Sequence, residues 1–259
     1  MIKNILQILA LILFTMPNSA TAATVQADLA GIIGSGQLKI AMAAADLPPY
    51  INMGQDRDLS GREREIAQDI AQELQVELEI IAAKTFSEVI ELVASGQAHV
   101  GLSNLTITTD RAQKVIFTKS YRQLGTTLVL NRLQLAAKGL AAGMEHMAEL
   151  KETDGKLAII GGSSYEAAAR FHFPKAELVN YPSYRPMLID LAAGKLLIAG
   201  GNSGTINHLL KEMPNLNIKL QSFSVSTRLD HIAMAVAPGN DHLLAWLNSY
   251  ITIRGEKLK

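Results

Sequence analysis

The residue types best suited to chemistry stand at the end of one predicted strand. Residues 98–102 (AHVGL) have the mostly apolar character of a buried strand, and residues 103–111 (SNLTITTDR) then bring hydroxyl, amide, carboxylate and guanidinium groups together. Residues 108–110 can cap a helix that begins near Arg111, where free backbone N–H groups favour a negative charge. An arginine there can bind a carboxylate through two parallel hydrogen bonds. The segment therefore predicts either an ordinary capped helix with a solvated arginine or a pocket for a carboxylate.

Two further polar loops follow predicted strands in the second half of the chain. Residues 161–165 (GGSSY) follow the strand 156–160, and residues 200–204 (GGNSG) follow the strand 196–199. In sheets of parallel strands, ligands lie at the carboxyl ends of the strands, where the topology switches. One early loop and two late loops of this kind predict two α/β lobes with a ligand cleft between them.

The elements that must position these loops alternate along the chain. Helical apolar spacing in some segments and strand-like runs in others indicate βαβ units and mostly parallel sheets. The predicted strands are 37–42, 76–82, 98–102, 115–117, 126–130, 156–160, 196–199, 218–223 and 231–237. The predicted helices are 65–74, 86–95, the segments after 164 and 204, 184–193 and 241–253.

Composition and the N-terminus indicate an exported globular protein. The chain has no cysteine, and its 24 basic and 24 acidic residues give a net charge of zero, which offers no sign of a nucleic-acid partner. Residues 1–22 combine a basic start, an apolar run over 5–16 and the sequence Ala-Thr-Ala at 20–22, the pattern of a cleaved secretory signal peptide. We therefore expect a periplasmic protein of a two-membrane bacterium, without disulfides.

Five segments resemble, in order, the bacterial extracellular solute-binding proteins of the polar-amino-acid class, family 3. Residues 61–74 are similar to that family's G-F-D-V-D-L-A-x-x-I-A-x-x-L helix, although Arg62 and Arg64 replace apolar residues. Residues 86–111 are similar to its segment from an aromatic residue to T-I-T-x-x-R. The other three segments are LPPY at 47–50, GSSYEAAA at 162–169 and AGKLLIAGGNS at 193–203.

The resemblance, which covers about residues 37–254, implies an architecture. It is the α/β, two-lobed periplasmic-binding-protein fold of type II, with the ligand cleft between the lobes. The first lobe would comprise residues 23–124 plus 232–259, and the second lobe, residues 125–231, would be inserted between them.

The resemblance also implies roles for residues of the first lobe. Phe86 would pack against the ligand side chain, although Phe86 taken alone favours a core position. Ser103, Asn104 and Thr106 would donate hydrogen bonds to the ligand carboxylate. Arg111 would form an ion pair with the same carboxylate.

Three residues of the second lobe complete the implied site. Ser163 and Ser164 would close on the carboxylate at a helix start, where a simple N-cap is the alternative. Asn202 stands at the position of the family's second aspartate, which holds the ligand's ammonium group, and an amide supplies no charge there. The ligand is therefore an amino acid held by another acceptor, or a carboxylate without an amine.

The function that the resemblance implies is binding and delivery. A monomer without metal or cofactor would bind a small carboxylate-bearing solute, an amino acid or a derivative, and present it to the membrane permease of an ABC transporter. One alternative is an orphan sensor that acts in trans on a membrane receptor, and another is a lyase or dehydratase on the same fold. No G-x-S-x-G or H-E-x-x-H motif occurs and the six histidines are scattered, so we predict no catalytic residue.

Overall fold

The protein is described by a computed structural model that covers residues 28–54, 58–140, 147–152 and 154–258. The predicted signal peptide, residues 1–22, lies outside these ranges, so its cleavage stays a prediction. Within the same ranges, no helix is both long enough and apolar enough to cross a membrane.

Helices and strands alternate over these ranges, as predicted. The helices are α1 (Leu29–Ser35), α2 (Arg62–Leu74), α3 (Phe86–Ala94), α4 (Thr109–Ala112), α5 (Arg132–Ala137), α6 (Met147–Glu152), α7 (Tyr165–His172), α8 (Tyr184–Ala192), α9 (Ser203–Glu212) and α10 (Asp241–Arg254). The strands are β1 (Gln37–Ala43), β2 (Asn52–Met53), β3 (Leu59–Ser60), β4 (Glu77–Ala83), β5 (Val100–Gly101), β6 (Ile116–Phe117), β7 (Arg122–Asn131), β8 (Lys156–Ile160), β9 (Glu177–Tyr181), β10 (Ile198–Asn202), β11 (Leu220–Ile232) and β12 (Ala235–Val236). Turns of 3₁₀ helix follow α9 and α10.

The described strands form two five-stranded sheets and a short β2–β3 hairpin. The first sheet has the order β4-β1-β5-β12-β6 and the second has the order β11-β7-β10-β8-β9. Strands β1, β4 and β5 are parallel, and so are β8, β9 and β10, as predicted. The expectation of mostly parallel pairing is wrong for β12 and β7, which run antiparallel to both of their neighbours.

Strands β7 and β11 join the two sheets. Near the start of β7, the Tyr121 N–H donates to the Ile232 carbonyl (2.9 Å), and just after β11 the Ala233 N–H donates to the Leu105 carbonyl (3.0 Å). Four residues separate β6 from β7 and two residues separate β11 from β12, so each long strand continues at one end into a strand of the first sheet. The two long strands pair with each other and form one side of the second sheet. The predicted two-lobed α/β architecture is confirmed.

Local capping positions two predicted site residues. The Thr85 hydroxyl accepts from the Glu88 N–H (3.1 Å), which begins α3 at Phe86. The Thr108 hydroxyl accepts from the Arg111 N–H (3.3 Å), which begins α4 at the predicted place. Because side-chain caps satisfy the otherwise orphaned N–H groups of a helix start, these threonines fix where Phe86 and Arg111 lie.

The prediction of a loop at residues 200–204 is wrong for residues 200–202. Gly200, Gly201 and Asn202 belong to β10 and pair with residues of β7. A Cβ atom on Gly201 would lie only 2.2 Å from the Tyr184 hydroxyl oxygen, so the absence of a side chain lets the tyrosine ring pack on the strand. The polar turn is therefore shorter than predicted, and α9 begins directly after Asn202.

Candidate functional site

Residues from the three predicted polar segments meet at one cavity between the sheets. It measures about 30 Å³, room for one or two water molecules and far less than the ~300–1,000 Å³ of a typical ligand pocket. Seven of the eight predicted site residues line it, and Ser103 does not. The lining is Leu47, Phe86, Asn104, Thr106, Arg111, Ile160, Ser163, Ser164, Tyr165, Tyr184, Asn202 and Ile232.

Ser103 has a structural contact instead. Its hydroxyl oxygen accepts from the Ala43 N–H (2.8 Å), and its side chain is fully buried. This bond ties the end of β1 to the segment that follows β5. The role implied for Ser103, donation to a ligand carboxylate, stays a prediction.

Arg111 lies half-buried at the cavity with little compensation for its charge. One guanidinium nitrogen donates to the Thr106 carbonyl (2.9 Å), and no acidic side chain of the described residues lies within 4.0 Å. Burial lowers the pKa of Arg111 to about 10, while Asp230 and then Tyr165 oppose this effect from a greater distance. Arg111 therefore remains charged at neutral pH, in a place where an anion would stabilise it.

Asn104 is held in place by its neighbours rather than left free. Its backbone has a positive φ of 50°, which asparagine tolerates better than most residues. Its N–H donates to a Glu63 carboxylate oxygen (2.8 Å), and its side-chain oxygen accepts from Arg122 (3.0 Å). The side-chain amide nitrogen is the group of Asn104 that remains to donate to a ligand.

A buried ionic network underlies this wall of the cavity. The Glu63 and Arg122 side chains are 0% and 4% exposed and form an ion pair at 2.7 Å. The Tyr121 hydroxyl donates to Glu63 (2.7 Å), and Arg122 also donates to the Leu258 carbonyl (2.9 Å). Burial lowers the pKa of Arg122, but Glu63 and Tyr121 outweigh burial, so the net pKa is raised. The Arg122 guanidinium also lies over the Tyr50 ring, 4.4 Å from its centre.

The sequence contained a signal for this network that was missed. Glu63 lies on the same face of α2 as Ile66, Ile70 and Leu74, at spacings of three and four residues. An acid on the apolar face of a helix needs a buried partner. Its partner Arg122 is 59 residues away along the chain and carried no comparable signal.

The opposite wall of the cavity presents hydroxyl groups. The Ser163 hydroxyl is buried and has no hydrogen-bond partner in the described part of the chain. Ser164 stands at the N-cap position of α7 but makes no side-chain capping bond. Buried hydroxyls are normally paired, so an unpaired one on a cavity wall is a group available to a ligand.

The Asn202 side chain caps the start of α9. Its side-chain oxygen accepts from the Thr205 N–H (2.8 Å), and its own N–H donates to the Tyr184 hydroxyl (3.2 Å). Burial raises the pKa of Tyr184, and the bonds from Asn202 partly lower it again. As an acceptor for a ligand ammonium, Asn202 is therefore both uncharged and already occupied.

The two walls of the cavity touch. A Cβ atom on Gly204 would lie 2.1 Å from the Tyr50 hydroxyl oxygen, so this tyrosine of the first wall reaches the backbone of α9. Gly162 lies close to Ser87, with 3.5 Å between a Cβ built on the glycine and the serine hydroxyl. These contacts explain the small cavity, because they close the cleft around it.

A larger, mostly apolar cavity of about 560 Å³ adjoins the first. The two share Thr106, Ser164 and Tyr165, so Tyr165 stands on the boundary between them. At this boundary the Tyr165 hydroxyl donates to Asp230 (2.6 Å). Burial, then Tyr184 and Asp230, raise the pKa of Tyr165 well above its ordinary value, so the hydroxyl keeps its proton. The other lining residues are Thr108, Thr126, Leu128, Lys151, Leu157, Ile159, Ala168, Ala169, His172, Phe173, Gly200, Gly201 and Val225.

Solved structures share this fold. An amino acid ABC transporter substrate-binding protein from Streptococcus pneumoniae Canada MDR_19A, bound to L-arginine, superposes with a TM-score of 0.74 at 22% identity, over 88% of this chain and 94% of that one. An ancestral amino acid-binding protein, a precursor of cyclohexadienyl dehydratase, has a TM-score of 0.73 at 22% identity, over 87% and 92%. At this level of identity the likeness establishes the fold, that of the type II periplasmic binding proteins.

Sequence comparison establishes the family. The chain is 22% identical over 211 residues to the ABC transporter arginine-binding protein 1 of Escherichia coli (strain K12), covering 80% of each protein. The family model for bacterial extracellular solute-binding proteins, family 3, matches residues 38–255. The chain therefore belongs to the bacterial extracellular solute-binding proteins of family 3.

Proposed function

We propose that the protein binds a small carboxylate-bearing solute, an amino acid or a derivative, in the cleft between its lobes. The observation that carries the proposal is Arg111, a charged, half-buried guanidinium whose described contacts include one backbone carbonyl and no acid within 4.0 Å. A ligand carboxylate supplies the missing charge and can accept two parallel hydrogen bonds. The unpartnered Ser163 hydroxyl can donate to the same carboxylate from the facing wall.

The closed cleft supports a cycle of opening and closing. Contacts such as Tyr50 with Gly204 leave no room for a solute to enter, so the lobes must separate first. We place the lobe boundaries in β7 and β11, with residues 23–124 plus 232–259 in one lobe and 125–231 in the other. A ligand that binds both walls favours the closed state, because its affinity for that state exceeds its affinity for the open one.

Delivery to an ABC permease in the periplasm is the role that this closure serves. The closed form is the signal that a membrane partner can recognise. Relatives described as ABC transporter binding proteins support this role. The N-terminal segment with the features of a signal peptide supports the compartment.

Binding, not turnover, is the activity that the family supports. The titratable groups that line the small cavity are Arg111, Tyr165 and Tyr184, and the adjoining cavity adds Lys151, His172 and Asp230. Burial raises the pKa of both tyrosines, which keeps them protonated and makes them poor general bases at neutral pH. The likeness to a dehydratase precursor is a likeness of fold, and the family to which the chain belongs is described as one of solute-binding proteins.

Thermal unfolding of the mature protein against a panel of solutes tests the proposal. The panel contains amino acids, matched carboxylates without the amine and matched amines without the carboxylate. A ligand at a hundredfold excess over its dissociation constant adds about 2.7 kcal/mol to the free energy of unfolding. We expect carboxylate-bearing compounds to raise the midpoint and the amines to leave it unchanged.

Two variants make this test specific to the cleft. Arg111→Met should lose the shift, whereas Arg170→Met should keep it, because Arg170 is an exposed α7 residue whose described partner is Glu166. A shift produced by amines alone, or one that survives in Arg111→Met, would contradict the carboxylate assignment.

A further inference from the structure

The charges of the described site are incomplete for an amino acid. A zwitterion needs a cation for its carboxylate and, within a few ångströms, an anion for its ammonium group. Arg111 meets the first need. Asn202, at the position where the resemblance leads one to expect an aspartate, is neutral and its side-chain oxygen already accepts from the Thr205 N–H, so it supplies no anion for the second.

Asp230 is a buried acid on the wall of the larger cavity, which adjoins the small cavity that Arg111 lines. It is 6% exposed, and one carboxylate oxygen accepts from the Tyr165 hydroxyl at 2.6 Å. No basic side chain of the described residues lies within 4.0 Å of it, and its electrostatic effect reaches Arg111 from beyond that distance. Among the described residues the Tyr165 hydroxyl, a neutral donor, is its side-chain partner. Burying a carboxylate in this way carries a large desolvation cost, which a cation would offset.

An irregularity of strand β11 comes shortly before Asp230. The pairing of β11 with β7 shifts register between Val225 and Leu229, directly before Asp230. Irregularities of this kind redirect side chains and are common beside functional sites. Ile232, two residues further along β11, lines the small cavity. Tyr165, which donates to Asp230, lines it as well. Asp230 is therefore adjacent to two residues of that cavity wall.

We propose that Asp230 receives the ammonium group of the ligand, so that the solute is a zwitterionic amino acid and not a simple carboxylate. This inference rests on the proposed function, since it assumes that the carboxylate binds Arg111. Tyr165 holds one oxygen of Asp230, and the other oxygen accepts the ammonium N–H. The negative charge that Asn202 lacks is thereby supplied from the strand that joins the lobes.

A simpler role for Asp230 makes a different prediction. If Asp230 only stabilised the charge of Arg111, its loss would weaken every carboxylate equally. If it contacts the ammonium, its loss weakens amino acids and spares their analogues without the amine. The ratio of the two affinities separates these roles, and it is independent of the fraction of each preparation that is folded.

Calorimetric titration with matched pairs measures this ratio. The pairs are L-lysine with 6-aminohexanoate, L-glutamine with 4-carbamoylbutyrate, and L-phenylalanine with 3-phenylpropanoate, the last chosen because the adjoining cavity has mostly apolar walls. For at least one pair, we expect wild-type protein to bind the amino acid at least about tenfold more tightly than its partner, the effect of one charge-assisted hydrogen bond.

Asp230→Asn should reduce that preference to within about threefold. The matched control is Asp190→Asn, because Asp190 also accepts from a tyrosine hydroxyl, that of Tyr181 at 2.8 Å, but lies on the exposed side of α8. The control should keep the wild-type ratio. An Asp230→Asn protein that keeps its preference, or that loses affinity for both members of a pair equally, would overturn the inference.

Failure of the proposed function has a distinct outcome. Wild-type protein that binds the acids without an amine as tightly as the amino acids would overturn the role of Asp230 and leave the carboxylate site intact. Wild-type protein that binds no member of any pair would contradict both proposals.

Discussion

Arg111 and Arg122 both donate hydrogen bonds to the segment that follows β5, but only Arg122 has an acidic partner among the described residues. Arg122 is buried against Glu63 at 2.7 Å and also donates to Asn104 and to the Leu258 carbonyl. Arg111 lies at the cleft, and its described contact is the Thr106 carbonyl. Glu63 and Tyr121 outweigh burial and raise the pKa of Arg122, whereas burial lowers that of Arg111.

The difference separates a structural arginine from one that awaits a ligand. The protein pairs the charge of Arg122 with Glu63, and the same guanidinium donates to Asn104 in the cleft wall. The charge of Arg111 has no acidic side chain within 4.0 Å among the described residues. An anion that binds there would therefore stabilise the folded protein. Removing each arginine should therefore have a different consequence.

The largest effect should come from Arg122→Met. This substitution leaves Glu63 buried without its cation, and breaking a buried pair from one side costs about 3–5 kcal/mol in the free energy of unfolding. Urea unfolding measures this loss. The double variant Glu63→Gln, Arg122→Met should lose less free energy of unfolding than the two single variants lose together, because neither buried charge remains without its partner. Strict additivity would show that the pair is not coupled.

Arg111→Met should reverse this pattern. Without ligand, the variant should be at least as stable as wild type, because the partly desolvated charge is gone and no strong partner is left behind. Its affinity for the carboxylate found in the solute panel should fall by about 3 kcal/mol, roughly a hundredfold, as two charge-assisted hydrogen bonds disappear. Urea unfolding and calorimetry on the same preparation check both effects. A large loss of stability would place Arg111 with Arg122 as a structural residue.

Two serines repeat the comparison on a smaller scale. Ser103→Ala should lower the free energy of unfolding by about 1–3 kcal/mol, because the buried Ala43 N–H loses its acceptor. Ser163→Ala should leave stability unchanged, because the hydroxyl has no partner among the described residues. It should instead weaken carboxylate binding by about 1 kcal/mol, roughly fivefold. If both substitutions weakened carboxylate binding equally, the assignment of a structural role to Ser103 and a binding role to Ser163 would be contradicted.

The elements of the fold were largely predictable from sequence, because local patterns specify them. The apolar spacing of 65–74 predicted α2, and the hydroxyl and acid groups of 108–110 predicted the cap that begins α4. The antiparallel strands β7 and β12 were harder, since their direction depends on how the chain passes between lobes. The strand at 200–202 was mistaken for a loop, because Gly201 is needed for contact with Tyr184, which lies elsewhere in the sequence.

The candidate site was predictable where short motifs carry it and not where distant residues meet. Arg111, Ser163 and Asn202 stand in recognisable segments. Asp230 follows an irregularity in a long strand, and its contact with Tyr165 spans 65 residues of chain, so no local pattern announces it. Long-range pairs of polar side chains are a property of the folded molecule, which sequence spacing alone does not encode.

The most direct test of the central claim is a crystal structure of the protein with the panel compound that gives the largest thermal shift. We predict that its carboxylate lies against the Arg111 guanidinium at about 2.7–2.9 Å and accepts a hydrogen bond from the Ser163 hydroxyl. Arg122 should remain paired with Glu63. A compound bound away from Arg111, or one whose carboxylate is held by other residues, would contradict the account.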